Sequence, residues 1–170
     1  MFAIYKNQPF PQFFIMNFKC DKKAKDALAN NALGRPTPNM VFMNLVNGTK
    51  DAVLTKIATP LAKIYKGDYG HSLLVCFDTL TADELNKYDA MANRMVPHGF
   101  SYKKLLVEDD KMYLKLKIKN NQYEACSWIG TEEDYEFEGN VEVTFTMGLY
   151  LNFENMTSGC YVKVSSLIKF

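Results

Sequence analysis

A chain of 170 residues with 48% hydrophobic and 14% aromatic side chains is long and apolar enough for one domain, spanning 1–170, with a sizeable core. Its 23% of charged residues excludes a disordered polyelectrolyte, and no apolar run approaches the ~20 residues of a membrane helix. The net charge of +1 conceals an asymmetry: from Glu124 to Glu142 there are seven acids and no base, so the rest of the chain holds all 20 bases against 12 acids, a surplus of eight.

In chain order, the N-terminus lacks a secretory pattern, because polar residues and prolines interrupt the apolar Phe13, Phe14 and Ile15. An intracellular, non-secreted protein is expected. Asp21 caps a short helix running to Leu33, which Gly34 and Pro36 end. Met40 to Val46 reads as a buried strand. Between Asp51 and Tyr65 the apolar positions Val53, Leu54, Ile57, Leu61 and Ile64 follow a helical face, with Pro60 as a kink. Ser72 to Asp78 reads as another buried strand. Thr81 and Glu84 form a capping box, and the helix they open sets Leu85, Tyr88, Ala92 and Met95 on one side before Pro97 and Gly99 end it.

From Phe100 onward the pattern is β. Tyr102 to Val107 runs into an acidic turn at Glu108, Asp109 and Asp110, and Lys111 to Lys119 returns, which predicts a hairpin. Tyr123 to Ile129 is a further strand, and the acidic stretch after it is a solvated loop. Val141, Val143, Phe145, Met147, Leu149, Leu151 and Phe153 alternate without a break, with Gly148 as a bend. A turn at Asn155 to Gly159 leads to a last strand. There Cys160, Val162 and Val164 face inward, while Tyr161, Lys163 and Ser165 face outward, with Lys169 on the outward parity.

The octapeptide Met112 to Lys119 alternates most sharply. In a strand, neighbouring side chains point to opposite faces. Met112, Leu114, Leu116 and Ile118 form a core face, and Tyr113, Lys115, Lys117 and Lys119 form a face of one ring and three cations. Lysine rows also protect sheet edges, so a solvated edge strand is the competing reading. Tyr161 and Lys163 repeat the ring-then-lysine order on a second strand, which favours one shared surface. Long bent strands suit a small antiparallel barrel, mainly β (α+β), with helical insertions in the N-terminal half.

Lysines attract phosphates and rings stack on unpaired bases. Arg35 and Arg94 are the only arginines, so contact with phosphates is favoured over the reading of base edges. Tyr113, Lys115, Lys117 and Lys119 are the first candidates, and Tyr161 and Lys163 the second. Phe100, Tyr102, Lys103 and Lys104 either extend the path or plug a barrel end. Trp128 is a core tryptophan or a stacking ring, and Tyr150 a weaker stacking candidate.

Catalysis has little support. No nucleophile elbow, phosphate-binding glycine loop or histidine dyad is present, and Gly48-Thr49-Lys50 lacks the earlier glycine of a P-loop. Cys20, Cys76, Cys126 and Cys160 are too scattered for a zinc site and read as reduced thiols. Asp109 and Asp110 fit a turn better than a metal centre. No cofactor, metal or enzyme activity is expected.

Three segments resemble the OB-fold single-stranded DNA-binding proteins of phages and large DNA viruses. They are Met112-Tyr-Leu-Lys-Leu-Lys-Ile-Lys119, Gly139-Asn-Val-Glu-Val-Thr-Phe-Thr-Met147, and Tyr150-Leu-Asn-Phe-Glu-Asn-Met-Thr-Ser-Gly-Cys-Tyr-Val-Lys-Val-Ser-Ser-Leu167. The resemblance is one of pattern, over the C-terminal part of the chain. It implies an OB-like barrel, single-stranded DNA as ligand without sequence preference, and a role in replication or recombination, with replisome proteins as further partners and homo-oligomers open. Many such proteins end in an acidic tail. Here Ile168-Lys169-Phe170 follows a strand directly, so a tailless member and a shortened chain are both open. A single-stranded RNA binder and a β-rich viral assembly subunit are the alternatives.

Overall fold

The structure, a computed structural model, describes residues 16–60, 65–67, 70–108, 112–118 and 139–169. The described strands are β1 (Met16–Phe18), β2 (Met40–Asn47), β3 (Lys50–Asp51), β4 (Leu54–Pro60), β5 (Tyr65–Gly67), β6 (Gly70–Phe77), β7 (Ser101–Lys103), β8 (Val107–Glu108), β9 (Met112–Ile118), β10 (Val141–Asn152) and β11 (Thr157–Lys169). Two helices, α1 (Lys22–Ala32) and α2 (Thr79–Met95), lie between them, and α2 straddles the middle of the chain.

The strands form one curled sheet with the path β1-β2-β10-β4-β6-β9-β8. Strand β10 organises it. Along one edge it pairs with β11 over its whole length; along the other, residues 148–152 pair with β2 and residues 141–145 with β4. The curl brings the backbones of β9 and β11 within 8 Å of each other, which gives a half-barrel. The fold is therefore mainly β and barrel-like. The sheet is mixed rather than wholly antiparallel, because β7 runs parallel to β11.

Alternation dictates the core. Val141, Val143, Phe145, Met147, Leu149 and Leu151 are all buried, as are Val41, Met43 and Leu45 on β2 and Leu114 and Leu116 on β9. Both helices add to the same cluster: Ala24 and Ala27 let α1 sit close, and Leu85, Tyr88 and Ala92 come from α2. The Asp21 carboxylate caps α1 by accepting the Ala24 N–H at 2.9 Å, and Gly34 beyond its end takes φ +67°.

Several expectations are corrected. Residues 54–60 are a strand, not a helix. Their β-branched residues Thr55, Ile57 and Thr59 fall at alternate positions, and the open edge of β10 supplies a ladder. Asp78, not Thr81, caps α2: its carboxylate accepts the Thr81 N–H at 2.7 Å. That bond holds the Asp78 carboxyl below its usual range. Thr81 is buried in the first turn, and Glu84 instead pairs with Lys56 and accepts the Tyr88 hydroxyl.

Among the described residues β8 and β9 are joined at Val107↔Tyr113 and Glu108↔Met112. The expected strand from Tyr102 to Val107 is split because the buried Asp89 carboxylate takes the Leu105 N–H at 3.2 Å. The final turn falls at 153–156, two to three residues before the expected place, with β11 starting at Thr157.

The strict alternation expected along β11 also breaks before its end. Thr144 pairs with Ser166 while Phe145 pairs with Val164, so Ser165 is an extra residue in β11. This bulge shifts the alternation by one, which buries Leu167 and pairs Lys169 with core-facing Val141. The predicted strand at 123–129, Asp109, Asp110 and most of the acidic stretch lie outside the described residues.

Candidate functional site

Residues paired across neighbouring strands share a face. On the outer face of the sheet the ladders align Phe42, Tyr150, Gly159 and Lys103 in one row across β2, β10, β11 and β7. The next row holds Asn44, Gly148 and Tyr161, and the third holds Thr146 and Lys163. Phe42 is 51% exposed, and Lys103 and Lys163 are exposed.

Two glycines give this surface its shape. Tyr161 stands opposite Gly148, and its ring lies across the position a Cβ would fill there, 2.2 Å from the phenolic oxygen. Gly148 is thus a seat for a ring, and it keeps ladder partners on both sides. Tyr150 stands opposite Gly159 and covers it in the same way, 3.1 Å from its hydroxyl. Aromatic cover of strand glycines is a recognised means of stabilising them.

The Tyr161 ring meets Phe42 edge to face, with centroids 5.5 Å apart at 86°. Its hydroxyl donates to Asn44 Oδ1 at 2.8 Å. Partial burial, chiefly, and the nearby Asp51 carboxylate raise the Tyr161 pKa, so the phenol stays neutral. The result is a fixed aromatic shelf with a half-exposed phenylalanine and with two exposed lysines, Lys163 and Lys103, on its β11 and β7 side.

Other sequence candidates sit elsewhere. Tyr102 takes the inner parity: its hydroxyl donates to Asp89 and approaches Cys160 Sγ at 3.5 Å. Phe100 packs edge to face on Phe153 at 5.3 Å. Both rings are half-buried and engaged, so this pair serves the core edge while Lys103 joins the outer face. Lys104 is exposed just beyond β7. Lys115 holds the β9 register position between the buried Leu114 and Leu116 and pairs with Leu74, with Tyr113 and Lys117 one step outside them. Along the ladder β4 and β6 separate β9 from β10, whereas across the curl β9 adjoins β11. Lys119 and Trp128 lie outside the described residues.

The sequence reading missed Phe42. It took β2 as buried on both sides, yet Asn44 within Met-Val-Phe-Met-Asn-Leu-Val marks an outer face shared with Phe42. Among the described residues no group of three or more His, Cys, Asp or Glu is placed to hold a metal, and no helix is long and apolar enough to cross a membrane. Cys20, Cys76 and Cys160 are free thiols. No family model, no curated protein and no solved structure matches the chain.

Proposed function

We propose that this protein binds single-stranded DNA without overall sequence preference, across the outer face of β2, β10, β11 and β7, and serves viral or phage replication or recombination. One observation carries the reading: a half-exposed phenylalanine, braced by a tyrosine ring, shares the outside of a curled sheet with two exposed lysines. Every base has a π face, so a ring shelf is tolerant of sequence, and lysines supply phosphate contacts that carry no sequence information. The β9 positions Tyr113, Lys115 and Lys117 extend the same path across the curl. The barrel is read as OB-like, and the protein as a non-enzymatic intracellular factor that can meet replisome proteins.

Anisotropy of labelled oligo-dT tests this directly. Micromolar or tighter binding that weakens as salt rises is expected, with a slope of about −0.7 per neutralised phosphate. Competition with a matched RNA oligomer separates a DNA binder from an RNA binder, because discrimination rests on the 2′-hydroxyl. An assembly role has its own supporting feature: Ile57 and Ile168, 40% and 43% exposed, flank Glu142 on the outer face. Large oligomers in the absence of nucleic acid, together with no response to oligo-dT, would favour that role.

A further inference from the structure

The edge of β10 changes partner between Gly148, which pairs with β2, and Phe145, which pairs with β4. Where β2 and β3 diverge from β10, a cavity of about 300 Å³ opens on the outer face. Phe42, Asn44, Asp51, Thr146, Tyr161 and Lys163 line it. It sits beside the aromatic shelf, and its polar groups come from four strands: β2, β3, β10 and β11.

These groups are chemically distinct. Asp51 is an exposed carboxylate and an acceptor only, whereas Lys163 is an exposed ammonium and a donor only. Among the described residues neither has an ion pair. Asn44 accepts the Tyr161 hydroxyl through Oδ1, which leaves its Nδ2 as a second donor.

We propose that this slot holds one guanine base of the bound strand, with the Asp51 carboxylate accepting from the guanine N1–H and N2–H, and Lys163 or Asn44 Nδ2 donating to O6 or N7. The inference rests on the single-strand binding proposed above and adds a base preference at one position of an otherwise tolerant path. Guanine alone offers two adjacent N–H donors to the two oxygens of a carboxylate. Cytosine offers one amino donor, and thymine one imide N–H. Adenine presents its N1 lone pair, which a carboxylate repels. Lysine opposite guanine O6 and N7 is among the commonest base contacts. A purine also overlaps the Phe42 ring more fully than a pyrimidine does.

The test compares oligo-dT with the same oligomer carrying one central dG, inosine or dA, by anisotropy at fixed salt. The dG oligomer is expected to bind about tenfold more tightly than oligo-dT. Inosine, which lacks the N2 amino group, should lose a large part of that gain, and dA all of it. Asp51→Asn should remove the dG preference, while Asp83→Asn, an exposed helix position far from the slot in sequence, controls for the loss of one negative charge. Equal affinity for the dT and dG oligomers overturns the guanine slot and leaves single-strand binding standing. Failure of the folded protein to bind any of the four overturns both.

Discussion

The ring of Tyr161 occupies the space above Gly148, its direct ladder partner, and its hydroxyl reaches past that glycine to Asn44 on the next strand. Three strands are thus tied by one side chain. A methyl group at Gly148 would meet the phenol at 2.2 Å, so Gly148→Ala must lift the ring. The lost hydrogen bond and ring contact, about 1 kcal/mol each, are partly offset by the better strand propensity of alanine, leaving a net cost of about 1 kcal/mol. Gly159→Ala differs in kind, because its new methyl faces the Lys103 carbonyl at 3.0 Å, and backbone cannot swing aside. A cost of about 1–3 kcal/mol is expected there. Urea denaturation of both variants would show it, and a Gly148→Ala protein as stable as the parent with an unchanged tyrosine environment would contradict the account.

Tyr102 has a structural task that its place beside two lysines hides. Asp89 is only 5% exposed, and its carboxylate is served by the Tyr102 hydroxyl and the Leu105 N–H. Tyr102→Phe keeps the ring and removes one of those donors from a buried charge. A loss of about 1.5–3 kcal/mol is expected, the range for hydrogen bonds to charged groups. Binding of oligo-dT by the folded variant should hardly change, since the ring faces inward. A large binding defect with unchanged stability would return Tyr102 to the outer surface.

The same cluster predicts a weakness to alkali. Burial pushes the Cys160 thiol from 9.0 up to about 12, and burial with hydrogen bonding to Asp89 raises the Tyr102 phenol above its ordinary 10.0. In each case the folded state holds its proton more tightly than the unfolded chain. Their contribution is fully present below the unfolded values, and it is lost as pH rises from about 9 through the folded values. The denaturant midpoint should therefore fall steadily above about pH 9, and Tyr102→Phe should flatten part of that slope. A level midpoint between pH 8 and about 11 would be inconsistent with these shifts.

Much of this architecture is legible in the sequence, and the failures have physical causes. Strand β10 is legible because seven apolar residues alternate without a break. The helix of residues 54–60 is wrong because spacing alone cannot weigh an open strand edge elsewhere in the chain against local periodicity. The alternation expected for the end of β11 fails because a bulge changes parity, although the step from Val164 to Leu167 carries the signal: three residues, where strict alternation needs two. The shelf was half legible. Tyr161 and Lys163 were visible in the alternation of β11, but their neighbours Phe42 and Lys103 come from strands whose adjacency only the ladders of β10 and β11 reveal.

Met156 closes the β10–β11 turn at φ +55°, a left-handed conformation that favours glycine. Its carbonyl accepts the Ser101 N–H at 2.8 Å, which a substitution would keep. The side chain is 37% exposed, so the cover lost on its removal opposes the relief of backbone strain. Met156→Gly should therefore leave stability within about 1 kcal/mol of the parent, the strain relieved offsetting the packing and chain entropy lost. Thermal unfolding decides it: a clear drop in midpoint would mean that the methionine side chain contributes more than its exposure suggests.

Rings and lysines should leave different marks on binding. A lysine that neutralises one phosphate contributes to the dependence on salt, so on oligo-dT, where no guanine engages Lys163, Lys163→Ala or Lys103→Ala should reduce the slope of log affinity against log salt by about 0.7 each. Phe42 carries no charge and gains its affinity by stacking, worth about 1–3 kcal/mol per base. Phe42→Ala should weaken binding by a similar factor at every salt concentration and leave the slope untouched, with little cost to the fold because half of the ring is already in water. At high salt the lysine variants should converge on the parent, while Phe42→Ala stays weak. If Phe42→Ala changed the slope and the lysine variants did not, the division of labour on this face would be the reverse of the one proposed.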